Sequence, residues 1–181
     1  MPKNNFEFIR VKSDYINFLL RYDDKIQYND KILGKDNKPF LGILLSVNNQ
    51  DYYVPLSSAN KKKKLISMYK RYKKTNRNTI DMFYIEDKKE KLLAILNLNN
   101  MIPIAKNSII KFNIKKDKDA SLLQKEYDFC NKHKKELKER AKKLYSIVKN
   151  HTNERIEKRC CNFLLLEEKC KEYEEKMLVI K

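Results

Sequence analysis

Residues 52–64 read YYVPLSSANKKKK. Aromatic and β-branched residues lead through Pro55 and Leu56 into Ser57 and Ser58, and Lys61, Lys62, Lys63 and Lys64 follow after only Ala59 and Asn60. Hydroxyls crowded against ammonium groups at a strand end suit a phosphodiester. When an RNA strand is cleaved through its own 2′-hydroxyl, that oxygen attacks the adjacent phosphorus, charge builds on the non-bridging oxygens and the 5′-oxygen departs. Donors preorganised toward the developing charge are usually the largest catalytic contribution, roughly 3–4 kcal/mol each. Lysine donates to phosphoryl oxygens, and clustered lysines depress one another's pKa, so one of them can act as an acid or base near neutrality. A serine hydroxyl at 57 or 58 can hold the phosphate or the 2′-oxygen in line, and no metal is required. The same residues also fit plain nucleic-acid binding, and a lysine run behind a Ser-Ser strand end is common turn chemistry.

Other chemistries find less support. Asp23 with Asp24 and Glu167 with Glu168 are the notable acidic pairs, and neither has a histidine nearby, so metal-assisted catalysis is hard to assemble. Gly34 and Gly42 are the only glycines, which excludes a glycine-rich phosphate loop. His133 and His151 sit in lysine-rich helical surroundings and read as exposed helix residues rather than a catalytic pair. Cys130, Cys160, Cys161 and Cys170 form no CxxC pair and lack histidines at ligand spacing, so they are expected as reduced, buried or half-buried helical thiols. No metal site and no cofactor is expected.

The formal net charge of +17 points to a polyanionic partner, nucleic acid first. Its distribution is the more telling quantity. Residues 1–118 hold 25 Lys/Arg against 12 Asp/Glu, whereas residues 119–181 hold 16 against 12, and the excess is densest in 61–77. The opening MPKNNFEFIRV has no apolar core before a small-residue cleavage site, and no run of about 18 apolar residues occurs anywhere. A cytoplasmic protein without membrane contact is expected, folded as a single domain over 1–181.

The elements that must position these residues follow from patterning. FEFIRV (6–11) alternates like a strand, and Ser13 is placed to cap a short helix through about Asp24, with Tyr15, Phe18, Leu19 and Tyr22 on one face. FLGILLSV (40–47), the turn NNQD and YYVPL (52–56) read as a hairpin, which sets Lys38 and Pro39 beside Ser57 and Ser58. Residues 59–78 are a basic loop or a short helix around LISMYKRY. Four further strand-like runs follow at 79–86, 91–98, 101–104 and 108–114, and from Asp119 onward apolar residues recur at helical steps. The expected fold is α+β: a strongly twisted antiparallel sheet with flanking helices and one early helix in 1–118, and a helical C-terminal third.

These segments, in this order, resemble the ToxN/AbiQ family, the protein toxins of type III toxin–antitoxin and abortive-infection systems. The resemblance runs through SDYINFLLRYDDK, NKPFLGILLSVNNQDYYVPLSSANK, LLAILNLNNMIPI and CNFLLLEEKCKEYE, and PLSS matches the family's PL-hydroxyl-Ser motif. It implies a metal-independent endoribonuclease similar to the Kid/MazF-like ribonuclease toxins, leaving a 2′,3′-cyclic phosphate and a 5′-hydroxyl. It also implies a small repeated RNA antitoxin that folds as a pseudoknot, is cut from its precursor by the toxin, inhibits it, and closes with it into a ring-like assembly.

Carried over by position, Lys38 matches the catalytic lysine before the central strand, Ser57 and Ser58 the hydroxyl pair, and Tyr15 an early tyrosine near the site. Relatives with Ser-Pro-Lys would align with Ser58-Ala59-Asn60-Lys61, one residue longer here and without the proline, so Lys61 and Lys62 both fit the second lysine. The tyrosine some members carry before the first lysine is absent; Gly34 and Lys35 occupy that neighbourhood. Phosphate contacts are expected from Lys61, Lys62, Lys63, Lys64, Lys70, Arg71, Lys73 and Lys74, and base stacking from Tyr52, Tyr69 or Tyr72. The alternatives are an RNA-binding protein without catalysis in the same basic groove and a helical interaction module built on 119–181.

Overall fold

The structure, a computed structural model, describes residues 5–27, 39–59, 62–75 and 79–179. At its centre are β2 (Phe40–Val47) and β3 (Gln50–Ser58), the expected hairpin. Asn48 and Asn49 alone connect them, with φ of 49° and 63°. A two-residue turn with both φ values positive matches the natural twist of the strands it joins. Asparagine tolerates that backbone better than most residues because its short amide bonds locally.

Around this hairpin the sheet is antiparallel in every pair. β1 (Glu7–Val11) lies against β2 and β7 (Ile109–Lys111) against β1; on the other side come β5 (Leu92–Asn97) and β4 (Met82–Glu86), giving the order β4-β5-β3-β2-β1-β7. β3 divides its free edge. Tyr52 and Tyr53 pair with the short β6 (Ile102–Pro103), and Leu56, Ser57 and Ser58 pair with β5.

Among the described residues, two α-helices rather than one accompany the sheet before residue 119. α1 (Ser13–Leu20) begins at Ser13 itself, Lys12 occupying the cap position without a side-chain bond. It stops at Leu20 rather than near Asp24, because the amides of Tyr22 and Asp23 both close on the Leu19 carbonyl and tighten the end. α2 (Lys63–Thr75) replaces the expected loop or short helix with 13 residues. Leu65, Tyr69 and Tyr72 recur at three- and four-residue steps and give it an apolar stripe to bury. The last third is α3 (Ala120–Lys132), α4 (Lys134–Lys149), the short α5 (Glu154–Glu157) and α6 (Phe163–Val179).

The two faces of β4 and β5 have different covers. Phe83, Ile85, Ala94 and Leu96 belong to the main core, whose helical side is α3, α4 and α6, while Leu92 and Ile95 join Ala59 and Tyr69 in a second cluster with Leu65, Tyr72, Met82 and Tyr84 around it. Alternation along each strand assigns one set of side chains to each face, and the register shift between the Ile85–Ala94 and Glu86–Leu92 pairs lets Leu92 join the second set. α2 therefore sits across the sheet from α3. Of the four buried, unpaired cysteines, Cys130 and Cys170 are helical, but Cys160 and Cys161 lie in the connection between α5 and α6, where the Cys161 amide bonds the Asn99 carbonyl at 2.8 Å.

Glu126 is the exception to the apolar rule on the inner face of α3. It is 1% exposed, and its Oε1 has no hydrogen-bond partner among the described residues. Burial, reinforced by the Asp119 charge, pushes its carboxyl up to about 7. A group whose pKa is raised by folding stabilises fully below its unfolded value and loses that contribution as pH rises through the folded value. Between about pH 4.5 and 7 the wild type should therefore lose stability that Glu126→Gln retains. The gap above pH 7 should approach about 3 kcal/mol at about 1.4 kcal/mol per pKa unit. Urea unfolding of both proteins at pH 5 and pH 8.5 tests it; curves with the same separation at both pH values would refute the assignment.

Candidate active site and nucleic-acid face

Ser57 stands opposite Ile95 in the β3–β5 register, so its side chain leaves the sheet on the face that α2 covers. It is 5% exposed. Its Oγ donates to Gln27 Oε1 at 3.3 Å and accepts from Asn97 Nδ2 at 3.1 Å, and Asn97 Nδ2 also donates to Gln27 Oε1 at 3.1 Å. Asn97 reaches this triangle as the diagonal neighbour of Ser57 on the same face of β5. Gln27 arrives from the segment after α1. Asp23 ties that segment down through bonds from the amides of Asn162 (2.6 Å) and Lys25 (2.9 Å), and Asn100 donates to the Lys25 carbonyl at 2.7 Å.

Ser58 follows at the last position of β3, paired with Ala94, and is half-buried. Successive strand residues point to opposite faces, so the two hydroxyls leave the strand in different directions. Ala59 then bonds the Leu93 carbonyl, and the Lys62 amide returns to the Ala59 carbonyl at 3.1 Å, which starts α2 within one turn of the serines.

α2 divides its cations by face. Leu65, Tyr69 and Tyr72 turn toward the sheet, while Lys63, Lys64, Lys70, Arg71 and Lys74 are exposed on the opposite half of the helix, with exposed Lys62 just ahead of it. Lys73 does not belong to that set. It lies one turn after Tyr69, over that ring, and pairs with Glu86 and Glu90, each at 3.3 Å. A lysine already held by two carboxylates is a poor phosphate ligand, so the expected contact from Lys73 is corrected to an internal tie between α2 and β4.

The Toxin ToxN, type III toxin–antitoxin system, family model matches residues 7–171 of this sequence. The chain belongs to this toxin family. Endoribonuclease ToxN of Bacillus thuringiensis subsp. kurstaki is 29% identical over 184 residues, covering 96% of this chain and 87% of that protein. Endoribonuclease AbiQ of Lactococcus lactis subsp. lactis is 26% identical, covering 93% and 90%. A solved type III toxin structure, described as showing selective toxin inhibition by a non-coding RNA pseudoknot, superposes with a TM-score of 0.79 at 28% identity, covering 95% of this chain and 99% of that one. The shared architecture is the antiparallel sheet with its flanking helices.

In this ToxN-family chain the structure separates several residues that the sequence grouped. Lys38 and Lys61 lie outside the described residues; Pro39, next to Lys38, gives its carbonyl to the Leu56 amide at 3.0 Å. Tyr15 is fully buried, packs on Tyr173 and donates its hydroxyl to the Pro103 carbonyl at 2.8 Å. Pro103 pairs with Tyr52, five residues before Ser57, which is about 17 Å along a strand. The structure therefore does not bring Tyr15 to the serines. Burial, with Cys170 adding to it, also raises the Tyr15 hydroxyl well above its ordinary pKa, against a proton-transfer role.

Stacking by Tyr52 is likewise corrected. Its ring is 0% exposed between Tyr145 and Phe163, its hydroxyl bonds Glu167 at 2.7 Å, and no face is open to a base. Tyr69 is buried with its hydroxyl on Glu86, and burial together with that carboxylate pushes it up to about 12. Tyr72, half-buried, already stacks on Tyr84 with centroids 4.7 Å apart. His133 and His151 flank α4, a helix of 16 residues and so about 24 Å long; they cannot meet on one phosphate. Among the described residues no three His, Cys, Asp or Glu side chains group to hold a metal ion, and no helix is long and apolar enough to cross a membrane.

Gln27 and Asn97 are the polar neighbours that sequence reading missed. Asn97 left a signal, since asparagine is disfavoured in strands and here ends the apolar run LLAIL. Gln27 left none, because nothing local connects the segment after α1 to the end of β3.

Proposed function

We propose that this chain is a metal-independent endoribonuclease toxin of a type III toxin–antitoxin system, acting in the cytoplasm. It cuts RNA by transesterification to 2′,3′-cyclic phosphate and 5′-hydroxyl ends. It processes, and is inhibited by, a small repeated pseudoknot RNA in a ring-like toxin–RNA assembly, and serves phage defence by abortive infection. The observation that supports this reading best is Ser57 held at the end of β3 on the same sheet face as α2, whose outer half carries Lys63, Lys64, Lys70, Arg71 and Lys74. A strand-end hydroxyl beside a row of exposed cations matches a polyanion that must be gripped along its backbone and held at one linkage. The relatives' names and the family resemblance supply the reaction class.

In this mechanism the α2 cations neutralise RNA phosphates, so affinity falls steeply with salt. Ser57 and Ser58 fix the scissile phosphate and the attacking 2′-oxygen in line from two directions. Lys38 and Lys61, or Lys62 in place of Lys61, donate to the charge that builds on the phosphoryl oxygens or move protons to and from the two ester oxygens. The helices of 119–181 complete the core against the sheet.

The test is to incubate the purified chain with RNA in EDTA and map the new ends. Cuts with cyclic-phosphate termini are expected. RNA that shifts in mobility at low salt but keeps its length after prolonged incubation would instead make this a binding protein that shares only the fold.

A further inference from the structure

We propose that Asn97 is the positioning residue for the Ser57 hydroxyl, with Gln27 as its resting acceptor, so that the serine hydrogen is handed from Gln27 to a phosphate oxygen when RNA binds. This rests on the endoribonuclease reading and adds two residues to it. Gln27 Oε1 is a carbonyl oxygen and can only accept, and it takes hydrogens from both Ser57 (3.3 Å) and Asn97 (3.1 Å). The Asn97 amide spends its second hydrogen on Ser57 Oγ at 3.1 Å. With these amide orientations each contact pairs a donor with an acceptor, and turning either amide alone would set two acceptors or two donors against each other across the Asn97–Gln27 contact.

The arrangement has a specific consequence on binding. A phosphate oxygen is also only an acceptor, so Ser57 must rotate its O–H away from Gln27 to reach it. Gln27 Oε1 then still holds the Asn97 hydrogen and is not left bare, which removes the usual penalty for abandoning a buried acceptor. Asn97 continues to donate to Ser57 Oγ throughout. That bond fixes the oxygen in place and, by polarising the O–H, makes it a better donor to the developing charge.

A capping duty does not account for the Asn97 side chain. It occupies the cap position of the single turn Leu98–Asn100, yet its side chain makes no capping bond and crosses to β3 instead. The segment bringing Gln27 is pinned by two buried polar residues, Asp23 at 8% exposure and Asn100 at 6%. Two buried polar anchors therefore hold a half-buried glutamine beside one serine.

The test compares wild type, Ser57→Ala and Asn97→Asp in single-turnover RNA cleavage from pH 5 to pH 8.5, with KM, the cleavage rate constant and melting temperature recorded for each. At pH 8 the Asn97→Asp carboxylate cannot donate to Ser57, and the rate constant should fall about 10- to 100-fold with KM within about two-fold, the usual range for a partner that orients a reacting group. Relative to wild type, that loss should shrink when the series is extended to pH 4, where about half of an ordinary aspartate is protonated and regains a hydrogen to donate. Gln27→Ala, which leaves the Asn97–Ser57 bond intact, should cost only a few-fold. An Asn97→Asp protein that cuts like wild type at every pH, or one whose loss is flat with pH and tracks a lowered melting temperature, overturns the proposal. Wild type that leaves RNA intact overturns the endoribonuclease reading itself, and the role of Asn97 falls with it.

Discussion

Ser58→Ala is expected to slow RNA cleavage about 100- to 1000-fold and to end growth arrest when the protein is induced in cells, while the variant still folds. The size is that of removing one preorganised donor from a developing oxyanion. The fold should tolerate the change because Ser58 ends β3 and its ladder pairing to Ala94 is made by the backbone. Loss of one half-buried hydroxyl contact costs on the order of 1 kcal/mol, or about 2–4 °C in melting temperature for a chain of this size. Lys38→Ala, the change at the lysine matched to the family's catalytic lysine, should give the same loss. Growth arrest retained by both variants would reject the lysine–hydroxyl assignment.

Gly42→Ala should be strongly destabilising for the addition of one methyl group. A Cβ built at residue 42 would stand 2.3 Å from Tyr53 Cδ1 and 2.7 Å from two more of its ring atoms. Tyr53 is 1% exposed, so its ring has no free volume to retreat into. Overpacking of this kind costs typically 1–3 kcal/mol and sometimes more, so a drop of roughly 5–10 °C in melting temperature is expected. The position also matters for the site. Gly42 pairs with Glu7 on one side, and the β2–β3 register shifts between Leu41 and Leu45 on the other. A displaced Tyr53 would disturb the same two strands, one starting at Phe40 just after Pro39 and the other ending at Ser58. The double variant Gly42→Ala with Tyr53→Leu should recover much of the loss, since the larger planar ring is the clashing partner. Calorimetry on the four proteins of the cycle decides it, and an unchanged melting temperature for Gly42→Ala alone would refute the close-packing account.

The hairpin, the antiparallel sheet, the helical last third, the family and the serine pair could all be read along the chain. The reason is physical: period-two and period-3.6 patterning, an Asn-Asn turn and a motif in ordered segments are local properties of sequence. Helix α2 was half legible. Its stripe of Leu65, Tyr69 and Tyr72 is local, but so is the density of lysine that made it look like loop, and only the second apolar face of β4 and β5 shows why it is buried there. Tertiary structure alone decided which of the similar residues serve the surface. Tyr52 and Tyr72 look alike in sequence, yet β3 runs through the middle of the sheet and places the first between Tyr145 and Phe163. Lys70 and Lys73 look alike as well, and three residues of helical rotation set one outward and the other onto Glu86 and Glu90. The Ser57–Gln27–Asn97 triangle could not be foreseen, because its members come from three segments 30 and 40 residues apart that only strand pairing and the Asp23 and Asn100 anchors bring together.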